Sequence, residues 1–154
     1  MALQPCGKFS YVQPVFLKAD SKVVDDCVGP ELGRQSYNWR RYEVLGVHMC
    51  GGSDCPVEPM DVLPNLYYAV TRRDSRNGAE WYPENGVTLD EAVEMFTKEA
   101  AYASYDEARY GTLTVGKFAD LVVLDHDIYT QPLEELFDTR VMMTMVEGEV
   151  VYER

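Results

Sequence analysis

Gly46-Val47-His48-Met49-Cys50-Gly51-Gly52-Ser53-Asp54-Cys55-Pro56-Val57 is the stretch on which the fold turns. It opens as a short apolar strand, runs into paired glycines and presents a carboxylate where the strand stops. With a period of two, Val47 and Met49 share one face, and His48, Cys50, Gly52 and Asp54 share the other. Glycines let backbone approach closely, and Pro56 closes the strand, so Asp54 is expected at its carboxyl end. In sheets and barrels of parallel strands, chemistry is placed at that end. On this stretch alone, a turn or a helix cap remains the first account of Ser53-Asp54, because both residue types favour such positions.

Working outward toward the amino terminus, Tyr11-Val12-Gln13-Pro14-Val15-Phe16-Leu17 is rich in strand formers. Lys18 to Gly33 reads as a polar loop, and Glu31 to Leu45 as a helix stopped by Gly46. Two apolar strands joined by a helix form a crossover and lie parallel. Met1 to Ser10 shows no periodicity and reads as an irregular lead-in.

Toward the carboxyl terminus, Asp61 to Arg73 has the spacing of a helix that tolerates Pro64 only in its first turn. Asp74 to Val87 is a loop. Thr88-Leu89-Asp90-Glu91 has the form of a capping box, opening a helix that runs to about Ser104. Ala119–Leu124 and Arg140–Val146 are strands, with a short helical piece at Pro132–Leu136 between them. Glu147-Gly148-Glu149 then turns the second into an antiparallel hairpin with Val150–Glu153. The change of character divides the chain into 1–110 and a strand-rich module, 111–154.

At 154 residues the chain suffices for one ordinary domain. A formal charge of -12 and the lack of a basic stripe argue against a nucleic-acid partner. No apolar run has the length to cross a bilayer and the amino terminus shows no signal-peptide core, so no membrane is expected and the cytoplasm is the expected compartment. Cys6, Cys27, Cys50 and Cys55 match neither zinc-ribbon nor disulfide-framework spacing, and buried free thiols are the reading adopted. Only two histidines are present, His48 and His126. The first reads as a core residue and the second as a solvated turn residue.

The order of short motifs is similar to the end of a metal-dependent amidohydrolase, of the branch called amidohydrolase family 3. They run from Val12-Gln13-Pro14 and Gly51-Gly52-Ser53-Asp54-Cys55-Pro56-Val57 through Ala69-Val70-Thr71-Arg72, Trp81-Tyr82-Pro83-Glu84 and Leu89-Asp90-Glu91-Ala92. Gly116-Lys117-Phe118-Ala119-Asp120-Leu121-Val122-Val123-Leu124-Asp125 and Val146-Glu147-Gly148-Glu149-Val150-Val151-Tyr152 complete the series. The resemblance implies an α/β fold: the last two β/α units of a TIM-like barrel, then a small antiparallel sheet forming half of a β-sandwich. It implies hydrolysis of an amide-type, non-peptide C–N bond in a small-molecule substrate. It also implies a divalent metal, zinc, that generates hydroxide. Asp54 takes the family position of a metal donor and of the catalytic carboxylate that moves the proton to the leaving amine. The family's histidines and its remaining ligands have no counterpart here. A catalytic zinc normally takes three protein ligands, so the isolated chain is expected to be metal-poor and inactive. Its exposed strand edges imply a homo-oligomer or a complementing N-terminal half. A non-enzymatic self-associating module is the alternative.

Overall fold

The computed structural model describes residues 8–154, so Cys6 and most of the lead-in lie outside the described residues. Strand β1 (Phe9–Val12) pairs in parallel with β2 (His48–Gly51), Phe9 standing opposite His48. The two form a sheet of their own, and the crossover expected between them is present.

β1 is shorter and begins earlier than Tyr11–Leu17. Pro14 has no N–H to give a ladder, and the chain bends there into a 3-10 turn, Pro14–Phe16, with the Phe16 amide donating to Gln13 O. What was expected as a polar loop holds three short helices: α1 (Leu17–Asp20), α2 (Val24–Val28) and α3 (Pro30–Gly33). The helix expected over Glu31–Leu45 is interrupted. Tyr37 adopts φ 51°, which no helix accommodates, and the Asn38 side chain accepts from the Arg41 amide to start α4 (Trp39–Val44) afresh.

Helix α5 (Leu63–Thr71) carries Pro64 in its first turn and ends where Arg72 takes φ 57°. Thr88 and Glu91 form the expected capping box at the start of α6 (Leu89–Met95). The expected single helix breaks at Phe96-Thr97 and resumes as α7 (Lys98–Ala103). The Thr97 hydroxyl donates back to Val93 O, a bond that competes with the helix ladder. The carboxyl-terminal segment is an antiparallel sheet ordered β3 (Leu121–Leu124), β4 (Val141–Val146), β5 (Glu149–Glu153).

The core gathers Leu17, Trp39, Met49, Leu66, Tyr67, Ala92 and Met95 around β2, α5 and α6. Leu136 joins the same cluster, and Phe137 stacks edge-on against Tyr67 at 4.8 Å. The β3–β5 segment is thereby tied to α5, with the Arg73–Glu134 ion pair at 2.8 Å beside it.

A second tie runs between the helices on either side of β2. Arg40 Nη1 and Nη2 donate to the two oxygens of Glu91 at 2.9 and 2.8 Å, and Arg40 Nε donates to Gly86 O. The hydrogen bonds from Arg40, with help from the Thr88 amide, hold the Glu91 carboxyl below the usual glutamate value. A lowered folded value means that the unfolded chain binds the proton more readily. Stability is therefore lost as pH falls from the ordinary glutamate value, ~4.3, through the folded one. Urea titrations across that window should show Glu91→Gln with a shallower loss of stability on acidification than the wild type. Identical slopes would mean that the pair contributes nothing.

Candidate active site

Both strands of the parallel pair end on the same side of the molecule, and the connections that leave them face one another. The Gly52 amide still donates to Val12 O at 2.9 Å, one residue beyond β2. The chain then turns: Asp54 takes φ 54°, and its carbonyl accepts from the Val57 amide at 2.8 Å. Aspartate tolerates that left-handed conformation better than most residues. Its side chain stands exposed at the carboxyl end of β2, the placement expected from the sequence. Gly51 is required here for close approach, since a Cβ would meet the Phe96 ring at 2.5 Å.

Three residues that sequence reasoning passed over build the rest of this end. Asn65 is 1% exposed. Its Oδ1 accepts from the Val15 amide, and its Nδ2 donates to Asp61 O, both at 3.0 Å. One side chain thus joins the turn after β1 to the loop after β2. Lys18 Nζ and Glu58 Oε2 meet at 2.5 Å, bridging the same two connections nearer the surface. An Asn in the first turn of a helix preceded by an Asp was the one available signal for the Asn65 brace. Nothing in spacing pairs residues 18 and 58.

Neither histidine joins Asp54. His48 begins β2 at its amino end, and its Nδ1 lies 2.6 Å from Glu99 Oε2 on α7. Its ring packs on Tyr102 at 4.2 Å, so it is a half-buried, paired residue between strand and helix rather than a wholly enclosed one. His126 is exposed and pairs with its neighbour Asp125 at 2.9 Å. Cys50 also feels Glu99: burial first, and that carboxylate second, push its thiol up and away from reactivity. Cys27 and Cys55 are free and exposed, which corrects the expectation of buried thiols; both lie on turns and short helices that no strand or helix covers.

Among the described residues, no three His, Cys, Asp or Glu side chains group closely enough to hold a metal ion. These residues do not by themselves fit the zinc implied by the sequence. What they do assemble is a solvent-facing carboxylate, Asp54, on a turn at the carboxyl end of β2.

The comparisons agree with this frame. Residues 2–152 match the model of the amidohydrolase family, and the chain belongs to that family. It is 30% identical over 145 residues to the putative amidohydrolase YtcJ of Bacillus subtilis strain 168, covering 93% of this chain and 27% of that protein. With the N-substituted formamide deformylase of Arthrobacter pascens it shares 36% identity over 109 residues, covering 71% of this chain and 20% of the relative. The chain therefore spans roughly a fifth to a quarter of the length of these relatives. In fold it is similar to an uncharacterized metal-dependent hydrolase of Pyrococcus horikoshii OT3, with a TM-score of 0.69 at 23% identity over 80% of this chain and 25% of that one.

Replacing Asn65 with Ala would leave the Val15 amide buried without an acceptor, a cost of about 1–3 kcal/mol. Urea unfolding should show that loss, and hydrogen exchange should show earlier opening at Val15 than at Met49. Unchanged exchange at Val15 would refute the brace.

Proposed function

We propose that the chain is the carboxyl-terminal portion of a metal-dependent amidohydrolase acting on amide-type, non-peptide C–N bonds of a small molecule. One observation carries the reading: in a chain of this family, Asp54 is an exposed carboxylate at the carboxyl end of a parallel strand. In this reading β1 and β2 are the last two strands of a (β/α)8 barrel. Residues 1–110 are its share of the chain, and 111–154 are half of a small β-sandwich.

Asp54 accepts a proton as water adds to the amide carbonyl carbon. It returns that proton to nitrogen as the C–N bond breaks, leaving a carboxylic acid and an amine. The Val57 amide closes the turn that bears Asp54, and Asn65 ties the loop that follows it, at Asp61, to Val15 after β1. The divalent metal of the whole enzyme would draw on Asp54, with its other ligands coming from residues outside those described here. The 154-residue chain alone is accordingly inactive, and a complementing N-terminal portion supplies what it lacks. A cytoplasmic setting belongs to the same reading.

The test is to assay the purified chain with zinc against a panel of N-formyl and N-acyl amines. It is repeated with a separately expressed polypeptide matching the remainder of a relative. Turnover is expected only in the mixture, and Asp54→Asn should lower kcat there by about 10²–10⁴, the range for general acid–base catalysis. Turnover by the chain alone, lost in Asp54→Asn, would overturn the inactivity. A mixture in which Asp54→Asn matches the wild type would remove Asp54 from the mechanism.

A further inference from the structure

The chain contains two Asn-Gly pairs, Asn77-Gly78 and Asn85-Gly86. An asparagine followed by glycine is open to attack by its own backbone. The nitrogen of the next residue approaches the side-chain carbonyl carbon, and glycine offers no Cβ to hinder it. In sequence the two pairs are alike. In the folded chain they are not.

Asn85 is 4% exposed. Its Nδ2 donates to Arg34 O at 2.7 Å, so the group that would leave is held by a backbone acceptor. The Gly86 amide donates to Pro83 O at 3.1 Å, and the Gly86 carbonyl accepts from Arg40 Nε at 3.2 Å. Gly86 also lies against the end of α5, where a Cβ would meet Val70 O at 2.8 Å. Nothing at this pair can move without disturbing α4 and α5.

Asn77 stands at the tip of the loop between α5 and Trp81. Arg73 and Glu80 pair as an isolated antiparallel bridge, and the Asp74 amide donates to Ala79 O at 3.2 Å. The Gly78 amide donates to Ser75 O at 3.1 Å, which puts Asn77 in the third place of a tight turn. Asn77 is exposed. The side-chain hydrogen bonds at the tip belong to Ser75 and Arg76, on Asp74 and Asp138 respectively, and among the described residues none is made by Asn77. The attacking nitrogen is held by one backbone bond at a loop tip, and such bonds open at far lower free energy than the core.

We propose that Asn77 is a site of spontaneous, water-consuming modification and that Asn85 is protected from it. The Gly78 nitrogen gives its proton to hydroxide and bonds to Asn77 Cγ. The bond from Cγ to Nδ2 breaks, and the nitrogen takes a proton from water and leaves as ammonia, which regenerates the hydroxide. A five-membered succinimide remains. Water that adds at Cγ releases the Gly78 nitrogen from it and gives aspartate. Water that adds at the main-chain carbonyl carbon gives isoaspartate, whose backbone runs through Cγ and is one atom longer. Either product carries a new negative charge.

The longer backbone acts beyond the tip. Tyr67 is fully buried, and its hydroxyl donates to the same turn, with Arg76 O at 2.7 Å and Ser75 O at 3.1 Å. An extra atom between residues 77 and 78 breaks the turn that presents those carbonyls and leaves a buried hydroxyl short of a partner. Aspartate at 77 adds the charge without the shift. All these contacts are made within this chain, and the proposal is independent of the hydrolase reading because none of its readouts is turnover.

The experiment is to hold the 154-residue chain for weeks at neutral and at mildly alkaline pH, folded and in strong urea. Peptide mass spectrometry then reads the exchange of NH2 for OH, and fragment ions separate the two sites, which share one tryptic peptide. Enzymatic methylation of the isoaspartyl carboxyl counts that product. In the folded chain, Asn77 should convert about tenfold faster than Asn85 or more, because a loop tip opens more readily than a buried site. The rate should rise in proportion to hydroxide. In urea the two sites should convert at similar rates. Asn77→Ser should abolish the mass change at 77 and most of the methyl uptake, with circular dichroism unchanged. The isoaspartyl fraction, resolved by anion exchange, should unfold at lower urea than Asn77→Asp, which should unfold with the wild type. Equal rates at the two sites in the folded chain would overturn the proposal, as would conversion at Asn77 in urea alone. An isoaspartyl fraction that unfolds together with Asn77→Asp would overturn the link to Tyr67.

Discussion

The parallel ladder between β1 and β2 is the constraint on which the remainder depends. Parallel strands cannot be joined by a tight turn, so the chain must cross over from the end of one strand to the start of the next. Residues 13–47 make that crossover as a chain of short helices, and the two strands consequently finish side by side. Everything emerging from those ends shares one small region, and its backbone groups need partners. Asn65 meets that need from inside, binding the Val15 amide and Asp61 O at once, while Lys18 and Glu58 close the gap at the surface. The position of Asp54 is a consequence: its turn can lie only where the ladder ends and the brace begins.

A second fixed point lies under α5. Arg72 is fully buried, its guanidinium between the rings of Trp39 and Trp81 at 4.7 and 5.0 Å. It donates to Tyr37 O at 2.7 Å and to Trp81 O at 3.2 Å, while Nη2 has no partner among the described residues. Burial lowers its pKa to about 10, which leaves it charged near neutral pH. The two ring faces offset part of the cost of removing that charge from water. In return, one side chain fixes three otherwise unrelated pieces: the break before α4, the end of α5 and the loop at Trp81. The interruption of the crossover helix at Tyr37 is where its carbonyl must turn to meet Arg72.

These two points explain what could and could not be read beforehand. β2, the capping box at Thr88 and the final hairpin were legible because each rests on neighbours in sequence. So was the placement of Asp54, which follows from a strand, two glycines and a proline. The parallel partner of β2 was expected at Tyr11–Leu17 and lies instead at Phe9–Val12, because Pro14 ends the ladder. The breaks at Tyr37 and Thr97, and the helices within residues 17–33, were not legible. They answer to residues far away, such as Arg72, or to side chains that bond their own backbone, as Thr97 does to Val93. His48 is the same lesson in miniature. Its side of the strand followed from the alternation, but Glu99, its partner, lies 51 positions away.

Family membership was legible for a different reason. No single short motif is diagnostic, but their order along the chain is a record of which turns and caps succeed one another, and that succession is the fold written out. The chemistry is less local. A carboxylate such as Asp54 is ordinary in isolation, and only the groups facing it decide whether it shuttles a proton or merely caps a turn. The described residues place a braced turn and two strand ends around it, and no cluster of three metal-binding side chains. The carboxylate itself therefore carries little of the answer, and the groups that face its turn carry the rest.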